Sequence, residues 1–161
     1  MKAIKFFEKY FIIVFFIIYF FTGFAIVGDY GISVDEEFQR YSGFYWLCYV
    51  LEFLPFDQIK SQALLRLKEI GGGTLPEPTD FPFYGILFDL PLAFIETFLN
   101  IEQSKKYFLL RHQFTFFIFF ISSIYFYKLL FYRFNSKVII LLGVLLYISS
   151  PRIFGDSFFN N

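Results

Sequence analysis

An uncharged run near the N-terminus, Tyr10 to Val27, constrains this fold more than any other feature of the sequence. At about 1.5 Å per residue, a helix over this run just spans a hydrocarbon core of roughly 30 Å. Bulky Phe and Ile side chains continue to its end, and no clear small-x-small cleavage site follows, so the run predicts a retained helix rather than a signal peptide. The composition agrees, because 57% of the 161 residues are hydrophobic, against about 45–50% in ordinary soluble domains.

Two later segments predict further transmembrane helices, over residues 107–128 and 138–152. The third span is the weakest, since its strictly apolar part ends at Ile148 and a full span requires partial insertion of the residues that follow. Basic residues precede the first span and separate the other two: Lys2, Lys5, Lys9, Lys128, Arg133 and Lys137. The positive-inside rule therefore predicts that residues 1–9 and the turn 129–137 are cytosolic. The expected fold is an all-α integral membrane protein with three transmembrane helices, 10–27 being the first.

This topology makes residues 28–106 a large extracytoplasmic loop, and the chain emerges again on the same side at 153–161. Acidic residues outnumber basic ones in the large loop. Apolar residues at helical spacing predict helices over 35–54, 57–70 and 91–102, with a loop over 71–82 that is rich in Gly and Pro. The density of aromatic residues favours helices that lie along the membrane interface.

The stretch that opens this loop carries three adjacent acids, Asp35, Glu36 and Glu37. Asp35 is a residue type that favours a helix N-cap, and acids in a first turn are stabilised by the helix dipole. An acid held at the membrane surface is also a candidate general base for a membrane-borne substrate. Both interpretations remain open from the residues alone.

A second group of candidates lies at the outer end of the second span, Arg111 and His112. A planar, permanently charged guanidinium at headgroup depth suits a lipid phosphate. The alternative is that Arg111 merely extends its charge to the interface. His112 has no second histidine with which to share a metal, so a hydrogen-bonding role is the better interpretation.

Charge and cysteine content argue against several classes of function. The formal net charge is zero, which argues against a nucleic-acid partner, because such binding needs a basic face. The single cysteine, Cys48, allows no internal disulfide and belongs to no metal-ligand spacing. The Gly71-Gly72-Gly73 triplet lacks the Lys-Ser/Thr of a phosphate-binding loop.

The C-terminal segment, together with the features above, resembles a known family. The order of a charge-free span, an outer loop that opens with Asp35-Glu36, a span that begins Arg111-His112, and Ser-Pro-Arg-Ile-Phe-Gly-Asp-Ser-Phe-Phe-Asn-Asn over 150–161 is similar to the N-terminal part of C-type glycosyltransferases. These include dolichyl-phosphate-mannose protein mannosyltransferases and bacterial transferases of lipid-linked sugars such as aminoarabinose. The resemblance implies an inverting transfer of a sugar from a polyprenyl-phosphate carrier to an acceptor at the outer membrane face.

Roles for individual residues follow from this resemblance. It implies that Asp35, with Glu36 beside it, is the catalytic base or orients the acceptor, and that Asp156 is a second, assisting acid. Arg111 is the first candidate to bind the carrier phosphate, and Arg152 and His112 are further candidates for this role. Some relatives use a divalent metal and others do not, so no metal site is assigned.

The length of the chain departs from the family, whose members carry many more spans, so the resemblance implies an inactive N-terminal fragment of a larger transferase in the inner or plasma membrane. Its expected partners are the lipid-linked sugar and membrane lipid, and the sequence names no protein partner. One alternative is a small three-span assembly or interaction protein without catalysis. A transporter is less favoured, because no intramembrane charge or pair of broken helices marks the first and third spans.

Overall fold

The structure is a computed structural model that describes residues 2–73 and 86–159, with side chains from residue 10 onward. All regular elements in this part of the chain are helical. The α-helices are α1 (Lys2–Ile26), α2 (Glu36–Leu51), α3 (Asp57–Ile70), α4 (Asp89–Phe98), α5 (Ser104–Arg133), α6 (Lys137–Ser149) and α7 (Pro151–Asp156). A short 3-10 helix, Val27–Asp29, follows α1. The chain divides into two compact units, which we call the terminal unit (Met1–Gly31 and His112–Phe159) and the central unit (Ile32–Arg111).

In the terminal unit, α1 and α5 are both long and apolar enough to cross a membrane. Their 25 and 30 residues correspond to about 37 and 45 Å of helix. Aromatic contacts pair the two helices in antiparallel order, with ring-centroid distances of 5.9 Å for Phe24 and Phe116, 5.0 Å for Phe20 and Phe120, and 5.9 Å for Phe16 and Tyr127. Both helices also expose many large apolar side chains.

The helices α1 and α5 are in close contact at Gly23. A Cβ atom at this position would lie 1.9 Å from Cζ of Phe116, so only glycine admits the ring. Phe116 is fully buried and stacks on Phe158 with ring centroids 5.3 Å apart. Aromatic stacking of this kind adds about 0.5–1.5 kcal/mol beyond simple burial.

The expected third span, 138–152, is interrupted. Helix α6 ends at Ser149 after 13 residues, or about 20 Å, and Ser150 is extended at ψ 121°. Pro151 then begins α7, where its missing N–H costs nothing because a first helical position has no intrahelical acceptor. The expected turn at 129–137 is also shorter, since α5 continues to Arg133 and α6 begins at Lys137.

In the central unit, α2 packs against α3 and α4 around one apolar core. The buried core residues are Phe44, Leu47, Leu51, Ala63, Leu67 and Ala93. Gly43 lets α2 approach α4 closely, because a Cβ there would lie 2.7 Å from the backbone oxygen of Asp89. That position accepts glycine despite its cost of about 1 kcal/mol within a helix.

The helix over 57–70 has the predicted bounds. It ends in a Schellman motif, in which Gly73 N–H donates to Lys68 O at 2.7 Å and Gly72 N–H donates to Glu69 O at 3.3 Å. Gly72 has a φ of +64°, which glycine adopts without the steric cost that other residues meet. The Gly triplet therefore ends α3 as predicted.

Two other predicted helices have different bounds in the structure. Helix α4 runs over Asp89–Phe98 rather than 91–102, because Asn100 adopts φ +46° and the Ile101 N–H donates to Glu96 O in a second Schellman motif. Pro91 is tolerated inside its first turn, where backbone N–H groups have no intrahelical partner. Helix α2 ends at Leu51 rather than at 54, where tighter i to i−3 bonds precede Pro55. Most of the predicted loop 71–82 lies outside the described residues, as do Asn160 and Asn161.

Candidate functional site

The central unit contains a buried ion pair between α2 and α4. Nε of Arg40 donates to Oε1 and Oε2 of Glu96 at 3.0 and 3.2 Å, and Nη2 of Arg40 also contacts Oε1. The two side chains are only 9% and 2% exposed. The guanidinium carbon also lies 3.7 Å from the ring centroid of Tyr107, so the charge is stabilised by both a carboxylate and an aromatic face.

A second buried pair joins the first turn of α4 to α5. Nη1 of Arg111 donates to Oδ1 of Asp89 at 3.0 Å, and the Arg111 side chain is 1% exposed. The expectation of an arginine accessible to a lipid phosphate is therefore not met in this structure. The physical reason is that a buried guanidinium needs an anionic partner, and Asp89 supplies it.

The opening acids of the large loop differ in their environment. Asp35 occupies the N-cap position of α2, but its backbone is helical, with φ −85° and ψ −14°, and its side chain makes no capping hydrogen bond. A capping side chain normally requires an extended backbone, which aims the carboxylate at the N–H groups of the first turn. Asp35 is exposed, whereas Glu36 is fully buried.

Glu36 and Arg40 are one helical turn apart and lie on the same buried face of α2. Glu36 lies in the first turn of α2, as the sequence predicts, and its side chain is fully buried. Burial of both residues fixes the start of α2. Asp35 directly precedes this buried turn.

A cavity of about 290 Å³ opens in the central unit, and Arg40 is one of the residues that line it. Its charges are largely compensated within the wall, since Arg66 lies 3.3 Å from both Glu69 and Glu102. The lining residues are Glu37, Arg40, Arg66, Glu69, Ile70, Glu102, Tyr107 and Phe108. The wall therefore offers both hydrogen-bond donors and acceptors to a neutral polar molecule.

Cys48 is half-buried against the core of α2 and α3. Burial raises the pKa of its thiol to about 11, nearby Glu52 adds to the rise, and Lys60 opposes it. The thiol form therefore dominates at neutral pH. Cys48 is suited to packing rather than to nucleophilic chemistry.

The remaining candidates belong to the terminal unit. Nε of Arg152 lies 3.8 Å from Oδ2 of Asp156, one turn apart on α7, and the side chains are 92% and 60% exposed. His112 is buried, and its ring meets that of Phe159 edge-on at 6.0 Å. Both charged side chains of α7 are thus open to ligands, whereas His112 is not.

The six predicted site residues divide equally between the two units: Asp35, Glu36 and Arg111 in the central unit, and His112, Arg152 and Asp156 in the terminal unit. Among the residues that the structure describes, no three His, Cys, Asp or Glu side chains cluster as metal ligands. Sequence reasoning missed Arg40, Asp89 and Glu96. One signal was present, because Asp89 and Glu96 are seven residues apart and so share one face of an otherwise apolar helix.

Comparisons of this chain with protein-family models, with curated proteins and with solved structures found no match.

Proposed function

We propose that this chain is a membrane-embedded part of a glycosyltransferase that moves a sugar from a polyprenyl-phosphate carrier to an acceptor at the outer membrane face. The observation that carries the proposal is the state of Asp35. Its carboxylate is exposed and makes no capping hydrogen bond. Helix capping therefore explains Asp35 less well than the sequence suggested. This supports the proposed role of Asp35 as a general base.

Membrane insertion is supported by α1 and α5, which have the required length and composition. In the proposed topology, residues 138–152 form the third span, with the break at Ser150 near its outer end, and residues 153–161 emerge at the outer face. The acidic central unit then lies outside the cytosol, as the basic residues of the other segments require.

In the proposed reaction, the Asp35 carboxylate accepts the proton of an acceptor hydroxyl. The acceptor oxygen forms a bond to the anomeric carbon of the sugar, and the bond from that carbon to the carrier phosphate oxygen breaks, so that the phosphate leaves with the electron pair. A base that is exposed can reach an acceptor. A base on a fixed helix start is also held in position, which is the main requirement for proton transfer in a transition state.

Arg111 and Arg152 differ as candidates for the carrier phosphate. Arg152 is exposed, and its 3.8 Å contact with Asp156 is at the long end of an ion pair and inexpensive to exchange. Arg111 would have to release Asp89 inside a buried site, which is costly. We therefore assign Arg111 to positioning α4 against α5, and retain Arg152 and Asp156 as ligand candidates.

The test is the substitution Asp35→Asn in the full-length gene product, assayed in membranes with a polyprenyl-phosphate-linked sugar as donor. We expect a loss of transfer of about 10²- to 10⁴-fold, as for other general bases. Glu37→Gln is the matched control, because it removes an equal charge two residues away from an exposed position. Transfer by Asp35→Asn at the level of that control would refute the proposal.

A membrane assembly protein without catalysis is a second candidate function. It is favoured by the two buried ion pairs, which account for Arg40, Glu96, Arg111 and Asp89 without any chemistry. In that case Asp35→Asn leaves assembly unchanged, whereas Glu96→Gln disrupts the central unit and the binding of any partner to it.

A further inference from the structure

An open apolar groove runs between α1 and α5 within the terminal unit. Its volume is about 600 Å³, within the range of about 300–1,000 Å³ that ligand sites occupy. Ile and Phe side chains of α1, from Ile12 to Phe21, line one wall, and α5 lines the other from Phe117 to Lys128. The lining surface is apolar, so the groove suits a hydrocarbon ligand.

The two ends of this groove differ. Just beyond Phe21, the fully buried ring of Phe116 packs directly on Gly23, and the helices leave no space between them. The opposite end reaches Lys128, which is exposed and whose ammonium lies 5.1 Å from the ring centroid of Tyr125. The groove is therefore closed at one end and carries a positive charge at the other.

The length of the groove matches one leaflet of a bilayer. Ile12 and Phe21 are separated by about 14 Å along α1 at 1.5 Å per residue, and half of a typical hydrocarbon core is about 15 Å. The charged end is the cytosolic end, because Lys128 is followed by Arg133 and Lys137. The closed end then lies near the centre of the bilayer.

We propose that this groove binds one acyl chain of an anionic phospholipid of the cytosolic leaflet, with the headgroup beside Lys128. The inference rests on the proposed membrane insertion but not on the proposed transfer reaction. Charge complementarity selects the headgroup, and the closed end limits the occupant to one leaflet. A partner helix fits less well, since it would cross both leaflets and would favour small residues at the contact, whereas Ile and Phe line this groove.

The experiment uses the full-length protein in phosphatidylcholine bilayers that contain phosphatidylglycerol. Trace lipids of either headgroup, spin-labelled near the chain end, report the fraction of chains held by the protein. We expect phosphatidylglycerol to associate about fivefold more strongly than phosphatidylcholine, the factor for one basic residue near an anionic headgroup. Lys128→Gln should reduce this preference to near unity.

Two further variants separate the site from general effects. Arg133→Gln removes an equal charge from the same helix without lining the groove, and should retain most of the preference. Ile17→Trp fills the groove and should reduce the number of held chains of both lipids, with helicity by circular dichroism unchanged.

Several outcomes would overturn the lipid site. The first is equal association of both lipids with the wild-type protein. The second is an equal loss of the phosphatidylglycerol preference in Lys128→Gln and Arg133→Gln. The third is an Ile17→Trp variant in which a cross-linkable dimer dissociates while the amount of held lipid is unchanged. The last result would identify a second copy of the chain as the occupant. Removal of the wild-type protein from membranes by alkaline carbonate would refute insertion itself, and the proposed function with it.

Discussion

Replacing Glu96 with Gln should destabilise the central unit. The change keeps the size of the side chain but removes the charge that faces the guanidinium of Arg40. Nε of Arg40 now lies 3.0 Å from a carboxylate oxygen, and the two side chains are 9% and 2% exposed. Water reaches Arg40 only from the cavity that it lines, so solvent replaces the lost charge only in part.

The expected cost follows from that burial. Breaking a buried pair by removing one partner costs about 3–5 kcal/mol, and the lower end applies because the amide oxygen of Gln still accepts one hydrogen bond. The contact of Arg40 with Tyr107 at 3.7 Å remains in the variant. The double substitution Arg40→Met with Glu96→Leu should recover much of the loss, since apolar replacements of buried ion pairs are often neutral.

Trp46 is the only tryptophan of the chain and belongs to α2, so its fluorescence reports the unfolding of the central unit. We expect urea titration in detergent to show a free energy of unfolding about 3 kcal/mol lower for Glu96→Gln. Glu69→Gln is the matched control, because Glu69 is 66% exposed in its pair with Arg66 and such pairs contribute about 0–1 kcal/mol. A loss in Glu96→Gln no larger than that of the control would refute the reasoning.

Two further predictions concern the packing of α2. Gly43→Ala should lower the free energy of unfolding by about 1–3 kcal/mol in the same fluorescence titration. The reason is that the new Cβ would lie 2.7 Å from the backbone oxygen of Asp89. A gain in stability, as helix propensity alone predicts, would contradict this reasoning. Cys48 should react with iodoacetamide at pH 8 roughly 100-fold more slowly in the folded than in the urea-unfolded protein. Burial raises the pKa of its thiol to about 11, so the reactive thiolate becomes abundant only as the pH approaches that value. Equal rates in the two states would show that the thiol is not protected.

The long helices of the terminal unit were predictable because their signal is local. An uncharged run such as Tyr10 to Val27 can bury its backbone polar groups in an apolar medium only as a helix. The bounds of α3 were equally legible, since a Gly triplet supplies the positive φ of a Schellman motif. The end of α4 was missed because Asn100 performs the same task, and asparagine signals it far less strongly than glycine.

The buried ion pairs were not predictable from the sequence, for a different reason. Arg40 and Glu96 are 56 residues apart, and Arg111 and Asp89 are 22 residues apart. Helical periodicity says which residues share a face, but it does not say which faces meet. Arg111 was therefore assigned to an external phosphate, although its nearest anion belongs to its own unit.

The sequence distance between Arg40 and Glu96 also sets the delay between the synthesis of the two partners of this ion pair. At roughly 5–20 residues per second, Arg40 is synthesised about 3–11 s before its carboxylate partner. During that interval α2 cannot reach its final burial, because Arg40 would be buried without its counter-charge. Aromatic side chains of α2 such as Tyr45 and Trp46 stay exposed for the same time. A factor that binds apolar segments of nascent chains therefore has several seconds in which to bind α2.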